Sequence, residues 1–200
     1  MADKTDIVNL AFLQLGEETI SDISADSPRA NEARAVYDQM LDEVTAAGPQ
    51  KGWKFAQEAV EIDVNAVDPI NTKYGYRYKL PTNHLRTVDI SVGGISLTDW
   101  IRKGQYILTN QESDTIVLDY VKRNTITGEY PPYFITALYT KIAIQLGFKR
   151  VQKKAFANDL LREYTLVVMP KAIALDEQEV YVQEFSNSWA DAGNRTSTIE

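Results

Sequence analysis

Residues 28–56, PRANEARAVYDQMLDEVTAAGPQKGWKFA, hold the two signals on which the fold turns: a long amphipathic helix and the point where helical spacing stops. Asp26 or Ser27 can cap this helix, with Pro28 just inside its start, where the missing N–H of proline costs nothing. Ala33, Val36, Tyr37, Met40, Leu41 and Val44 then recur at helical spacing until Gly48-Pro49. Beyond Trp53-Lys54-Phe55 the texture changes. β-Branched and aromatic residues alternate with polar ones in short stretches, divided by turn signals at Asp68-Pro69, Gly93-Gly94, Gly104 and Asn110.

Upstream, Ile7, Val8, Leu10, Ala11, Phe12 and Leu15 cover a broad face of a first helix that stops at Gly16. The short link SDISAD then predicts a helical hairpin with the second helix. Strands are expected near 59–64, 74–79, 87–92, 95–97, 105–108 and 115–121, forming one small antiparallel sheet. Downstream, Ile135, Leu138, Tyr139, Ile142 and Leu146 mark a helix ending at Gly147. A further helix starts near Lys153 and carries Phe156, Leu160, Tyr164, Val167 and Val168, with Pro170 kinking or ending it. Helices then strands then helices argue an α+β fold rather than a parallel α/β one. The expected architecture is a helical hairpin and long C-terminal helices packed as a bundle, with the small sheet inserted and an extended C-terminal arm. In residue terms this is one domain over 1–175, with helices 4–16, 28–48, 132–147 and 153–169 and a β-rich insertion at 58–122, followed by an arm at 176–200.

The 200 residues are 44% hydrophobic and 24% charged, a globular composition. Cysteine is absent, which excludes disulfides, thiolate metal sites and cysteine nucleophiles. The first residues lack a basic leader region and no run of about 18 apolar residues occurs, so the chain reads as soluble, unexported and without a membrane partner. Net charge is -7, and the segment from Asp176 to Glu200 holds six acids against Arg195 alone, -5 of that total. A nearly neutral body with an acidic tail disfavours a phosphate-neutralising DNA grip.

His84, the single histidine, lies in the turn sequence Leu80-Pro81-Thr82-Asn83-His84-Leu85, and no G-x-S-x-G elbow accompanies it. It reads as a turn histidine. No zinc, calcium or phosphate-loop motif is present, and acid pairs such as Glu17-Glu18, Asp42-Glu43 and Asp176-Glu177 read as solvated faces. The sequence therefore predicts no catalytic residue, no metal site and no cofactor. Lys149, Arg150, Lys153 and Lys154 form a basic cluster that can complement a helix C-terminus, rim an interface or lie close to DNA. Trp53 and Phe55 read as core anchors. In the tail, Val180, Tyr181, Val182, Phe185 and Trp189 stand on a charged segment, the composition of a docking arm; the alternative is that the arm packs on its own body.

Five segments carry a resemblance. They are Ala11-Phe12-Leu13-Gln14-Leu15-Gly16-Glu17, the helix from Ala30 to Val44 after Ile23-Ser24, Gly52-Trp53-Lys54-Phe55-Ala56, Tyr76-Arg77-Tyr78-Lys79-Leu80-Pro81, and Tyr130-Pro131-Pro132-Tyr133-Phe134. In this order they resemble the head-to-tail adaptors, or tail tubular protein A family, of short-tailed phages, across most of residues 3–170. The resemblance implies a structural, non-enzymatic subunit of a dodecameric ring in the virion, assembled in the host cytoplasm. Its partners would be copies of itself, the portal protein, which the arm embraces through Val180, Tyr181, Phe185 and Trp189, and the tail nozzle protein. Genomic DNA would pass through the ring without sequence-specific binding, held during storage and released at ejection. Two other readings stay open: a head-completion or stopper connector of a long-tailed phage, and a virion-associated carboxylate hydrolase.

Overall fold

The computed structural model describes residues 2–65 and 73–179. Helix α1 (Lys4–Gln14) begins with a reciprocal cap: Asp6 N–H donates to the Asp3 carboxylate at 2.8 Å and Asp3 N–H to the Asp6 carboxylate at 3.0 Å. It ends at Gly16, whose φ of 65° suits a residue without a Cβ. Helix α2 (Pro28–Ala46) is capped by the Ser27 hydroxyl, which accepts from Ala30 N–H at 3.2 Å.

The expected hairpin does not form, because α1 and α2 each place their main packing on α3 (Pro132–Lys149). The reason lies in α3, which buries Phe134, Ala137, Leu138, Thr140, Ile142, Ala143, Ile144, Leu146 and Gly147, far more than one stripe. A helix apolar on most sides becomes the hub of its layer.

Among the described residues seven strands follow in chain order: β1 (Gln57–Asp63), β2 (Tyr76–Lys79), β3 (His84–Val92), β4 (Ile95–Ser96), β5 (Trp100–Lys103), β6 (Tyr106–Thr109) and β7 (Thr115–Lys122). They build two antiparallel sheets, ordered β1-β7-β3-β4 and β2-β6-β5. The expectation of a helical bundle carrying one small sheet is thereby overturned: the fold is a mixed α+β architecture with two sheets. Strand β5 was not anticipated, since Trp-Ile-Arg-Lys lacks alternation and is largely exposed; its pairing with β6 after the turn at Gly104 creates the second sheet. Tyr78, Ile90, Ile107, Ile116, Leu118 and Tyr120 come from both sheets and share one core. These six side chains form a core distinct from the one the helices build.

Strand β7 contributes to both cores. Its Ile116, Leu118 and Tyr120 enter the inter-sheet core, and Val121, one step out of phase, enters the helical core. There Trp53, fully buried, donates its indole N–H to Val44 C=O at 2.9 Å and packs on Tyr133 and Phe134 at centroid distances of 6.1 and 5.5 Å. Arg123 closes the junction from outside, pairing with Asp42 at 2.6 Å and Asp38 at 3.5 Å on α2.

The last helix runs further than its sequence predicts. Helix α4 (Lys154–Glu163) passes into a π-helical turn, Tyr164–Val168, and on into α5 (Met169–Gln178). Pro170 would remove a hydrogen bond and press on the preceding turn of a regular α-helix. The widened turn, in which Met169 N–H bonds to Tyr164 C=O, accommodates it. The helix expected over 153–169 therefore continues to Gln178, and the arm cannot begin at 176.

Candidate interaction surface

Folding uses one side of the last helix and leaves the other open. Ala157, Leu160, Tyr164, Met169 and Ala172 are buried, whereas Phe156, Leu161, Leu166, Val167 and Leu175 are exposed, Leu166 to 63% and Val167 to 54%. A groove of about 500 Å³ runs between the first turn of α3 (Pro132, Tyr133, Thr136) and this helix (Glu163, Val167, Lys171, Leu175). Glu179, the last described residue, is also part of its lining.

Asp176 sits one turn behind the groove and is fully buried. Its Oδ1 accepts from the Tyr133 hydroxyl at 2.9 Å and from Lys54 N–H at 3.2 Å, and Oδ2 has no partner. Burial, reinforced by the hydrogen bond and charge of Asp176, pushes the Tyr133 phenol far above its ordinary value, so it remains a proton donor. These bonds rivet the end of α5 to the start of α3 and to the turn after Trp53. Their logic is invisible in the sequence, where Asp176-Glu177 looks like any surface acid pair; Lys54 and Asp176 are brought together across 122 positions.

Three cations of the basic cluster are engaged in ion pairs within the fold. Every nitrogen of the Arg150 guanidinium has a partner: Nε pairs with Glu17 at 2.7 Å, Nη2 with Glu32 at 3.1 Å, and Nη1 donates to Leu146 C=O at 2.9 Å. Lys149 reaches Glu32 at 3.6 Å, and Lys153 reaches Glu17 at 3.6 Å and donates to Leu15 C=O. Three of the four cations thus tie the end of α3 to α1 and α2, and Lys154 is exposed. The arm residues Val180, Tyr181, Phe185 and Trp189 lie outside the described residues.

A second surface was not foreseen. On the first sheet Asp89 and Asp119 stand directly opposite one another, an arrangement of like charges that costs stability. They line a groove of about 420 Å³ with Lys51, Gln57, Ala59 and Val88, and the Ser96 hydroxyl donates to Asp89 at 2.6 Å. His84 opens β3 rather than sitting in a free turn. It stacks on Tyr120 at 5.6 Å, its Nε2 lies 2.9 Å from the Thr87 hydroxyl, and burial followed by the charge of Arg102 lowers its pKa. The Tyr120 hydroxyl in turn lies 2.9 Å from the Glu58 carboxylate, to which it donates, and 3.0 Å from the Asn83 side-chain amide. These contacts link the central strands β3 and β7 to each other and to Glu58 on β1.

Among the described residues no helix is long and apolar enough to cross a membrane, and no three or more acids or histidines converge on a metal position. No family model matches the chain, and a search of curated proteins finds no match either.

Proposed function

We propose that the chain is a structural head-to-tail adaptor of a short-tailed phage, similar to tail tubular protein A, which joins the portal to the tail nozzle. The observation that carries this reading is the exposed apolar surface of the last helix: Phe156, Leu161, Leu166, Val167 and Leu175 are each more than a third exposed. Burying one such side chain against a partner contributes about 1.5–3 kcal/mol, which an isolated subunit forgoes. Apolar side chains emerge at separate places as well, Leu10 and Leu13 on α1 and Ile95 and Ile101 on the strands. A ring needs two different lateral faces on each copy, because a head-to-tail contact repeats until rotation closes it.

In this reading twelve copies form the ring, the portal binds residues 180–200 through Val180, Tyr181, Phe185 and Trp189, and genomic duplex passes through without sequence readout. The task is mechanical: joining head to tail, retaining packaged DNA and releasing it. The test mixes the purified subunit with its cognate portal rings and follows co-sedimentation. The full chain should sediment with the portal, and a chain ending at Glu179 should not. The cut belongs after Glu179 because Asp176 is part of the folded helix. A full-length subunit that stays monomeric at saturating portal concentration overturns the reading.

A further inference from the structure

We propose that copies of this chain associate head to tail through the outer faces of the two sheets, the basic face of one copy against the acidic face of the next. The strands of the second sheet, Tyr76–Lys79, Trp100–Lys103 and Tyr106–Thr109, hold four cations and no acid, in a chain of net charge -7. Tyr78 and Ile107 turn to the inter-sheet core, so alternation puts Arg77, Lys79, Ile101, Lys103 and Tyr106 on the opposite side. Lys79 and Lys103 are exposed, each directly beside Tyr106, and Arg77 lies 4.5 Å over the Tyr106 ring. The first sheet is the reverse. Val60, Ile62, Ile90 and Leu118 face the core, which leaves Glu61, Asp63, Asp89 and Asp119 outside. None of these acids, nor Lys79 or Lys103, is in an ion pair among the described residues.

Spacing and charge agree on a second copy as the occupant. Lys79 and Lys103 stand on the two edge strands of their sheet, two strand spacings or about 10 Å apart. Glu61 and Asp89 stand on β1 and β3, likewise two strand spacings apart, on either side of β7. One pair can therefore meet the other, with Ile101 and Tyr106 of the basic face set against Ala59 and Val117 of the acidic one. Asp89 and Asp119, which repel each other across the ladder, gain a lysine from the neighbour, and the groove of about 420 Å³ beside them has room for it. Because both sheets contribute to one core, their outer faces point away from each other. A single copy cannot satisfy such a contact, and the contact repeats from copy to copy until rotation closes it. It supplies lateral faces for the adaptor reading and rests on that reading only for the number of copies.

The test is sedimentation of the purified chain at high concentration and low ionic strength. The parent should form assemblies that dissociate in about 1 M salt, where charges are screened beyond about 3 Å. Lys79→Gln with Lys103→Gln should weaken association about tenfold, as should Glu61→Gln with Asp89→Asn, the scale expected when two exposed ion pairs are lost. These side chains lie outside both cores, so both variants should unfold no earlier than the parent. At a concentration where neither variant assembles alone, their equal mixture should yield a one-to-one dimer and nothing larger, because one intact face of each kind remains. A parent that stays monomeric, a variant that assembles like the parent, or a mixture that forms no dimer overturns the contact. If the lysine substitutions changed duplex binding while self-association persisted, the basic face would belong to nucleic acid and the contact would fall. Assembly without portal co-sedimentation would remove the adaptor reading and leave the contact standing, whereas portal-bound rings of either variant would do the opposite.

Discussion

The buried and exposed sides of the last helix are built from the same residue types and meet opposite fates. Leu160, Tyr164, Met169 and Ala172 pack toward α3, while Leu161, Leu166, Val167 and Leu175 remain in water. The buried side is reinforced at both ends, by Arg150 and Lys153 near its start and by Asp176 near its finish. The exposed side has no such bonds and opens onto a groove. Folding thus uses one side of this element, the proposed function assigns binding to the other, and substitutions on the two sides should separate the two effects.

The largest effect is expected deep on the buried side. Trp53→Ala removes a fully buried indole, its hydrogen bond to Val44 and its packing on Tyr133 and Phe134, and should cost about 3–5 kcal/mol in chemical denaturation. Gly48→Ala attacks the same spot by overpacking, since a Cβ there would lie 2.3 Å from the Trp53 indole nitrogen. A loss below about 1 kcal/mol for both would mean that this core can collapse around a defect.

Next comes alkaline pH. Burial raises the phenols of Tyr37, Tyr133 and Tyr164 well above their ordinary range and pushes Tyr120 and Tyr130 up to about 12. The folded state therefore holds protons that the unfolded chain releases near about pH 10. This contribution is intact below about pH 10 and is lost as pH rises through the folded values, so denaturation midpoints should fall steeply above about pH 10. A flat profile there would show that the tyrosines titrate freely.

A smaller loss is expected for Arg150→Ala. Glu17, whose side chain is 12% exposed, keeps Lys153 but loses its shorter ion pair, and stability should drop by about 1–2 kcal/mol. If duplex binding changed while stability did not, the basic cluster would be a nucleic-acid contact rather than a clamp. The smallest change in stability belongs to the exposed side: Val167→Asp should stay within about 0.5 kcal/mol of the parent in denaturation, yet weaken association with the ring partners in sedimentation. Equal effects on folding and association would erase the distinction between the two sides.

Much of the local structure was legible. A cap at Asp26 or Ser27, the stop at Gly16 and the core role of Trp53 follow from nearest neighbours and helical spacing, and the structure shows Ser27 as the cap, Gly16 at the stop and Trp53 fully buried. The partition of the strands was not. Ile90 and Leu118 pair in one sheet and Tyr78 and Ile107 in the other, yet all four alternate in the same way along the chain. Period-two spacing reports which side of a strand is apolar, not which strand lies beside it. Pro170 misled for a related reason: its local effect is to break an α-helix, and a π turn together with packing on α3 absorbed it.

The candidate surface divides along the same line. Exposed Val167 and buried Tyr164 share one apolar pattern, and Asp176 is chemically indistinguishable in sequence from the acids around it. Residue order by itself determined where helices begin, where strands replace them and that the body carries little net charge. Tertiary structure decided that α3 is the hub, that the strands divide into two sheets, that Asp176 is a buried rivet and that the last helix keeps an exposed apolar side. The physical reason is range: capping and periodicity act over about one helical turn, whereas burial is settled by groups that meet from distant parts of the chain.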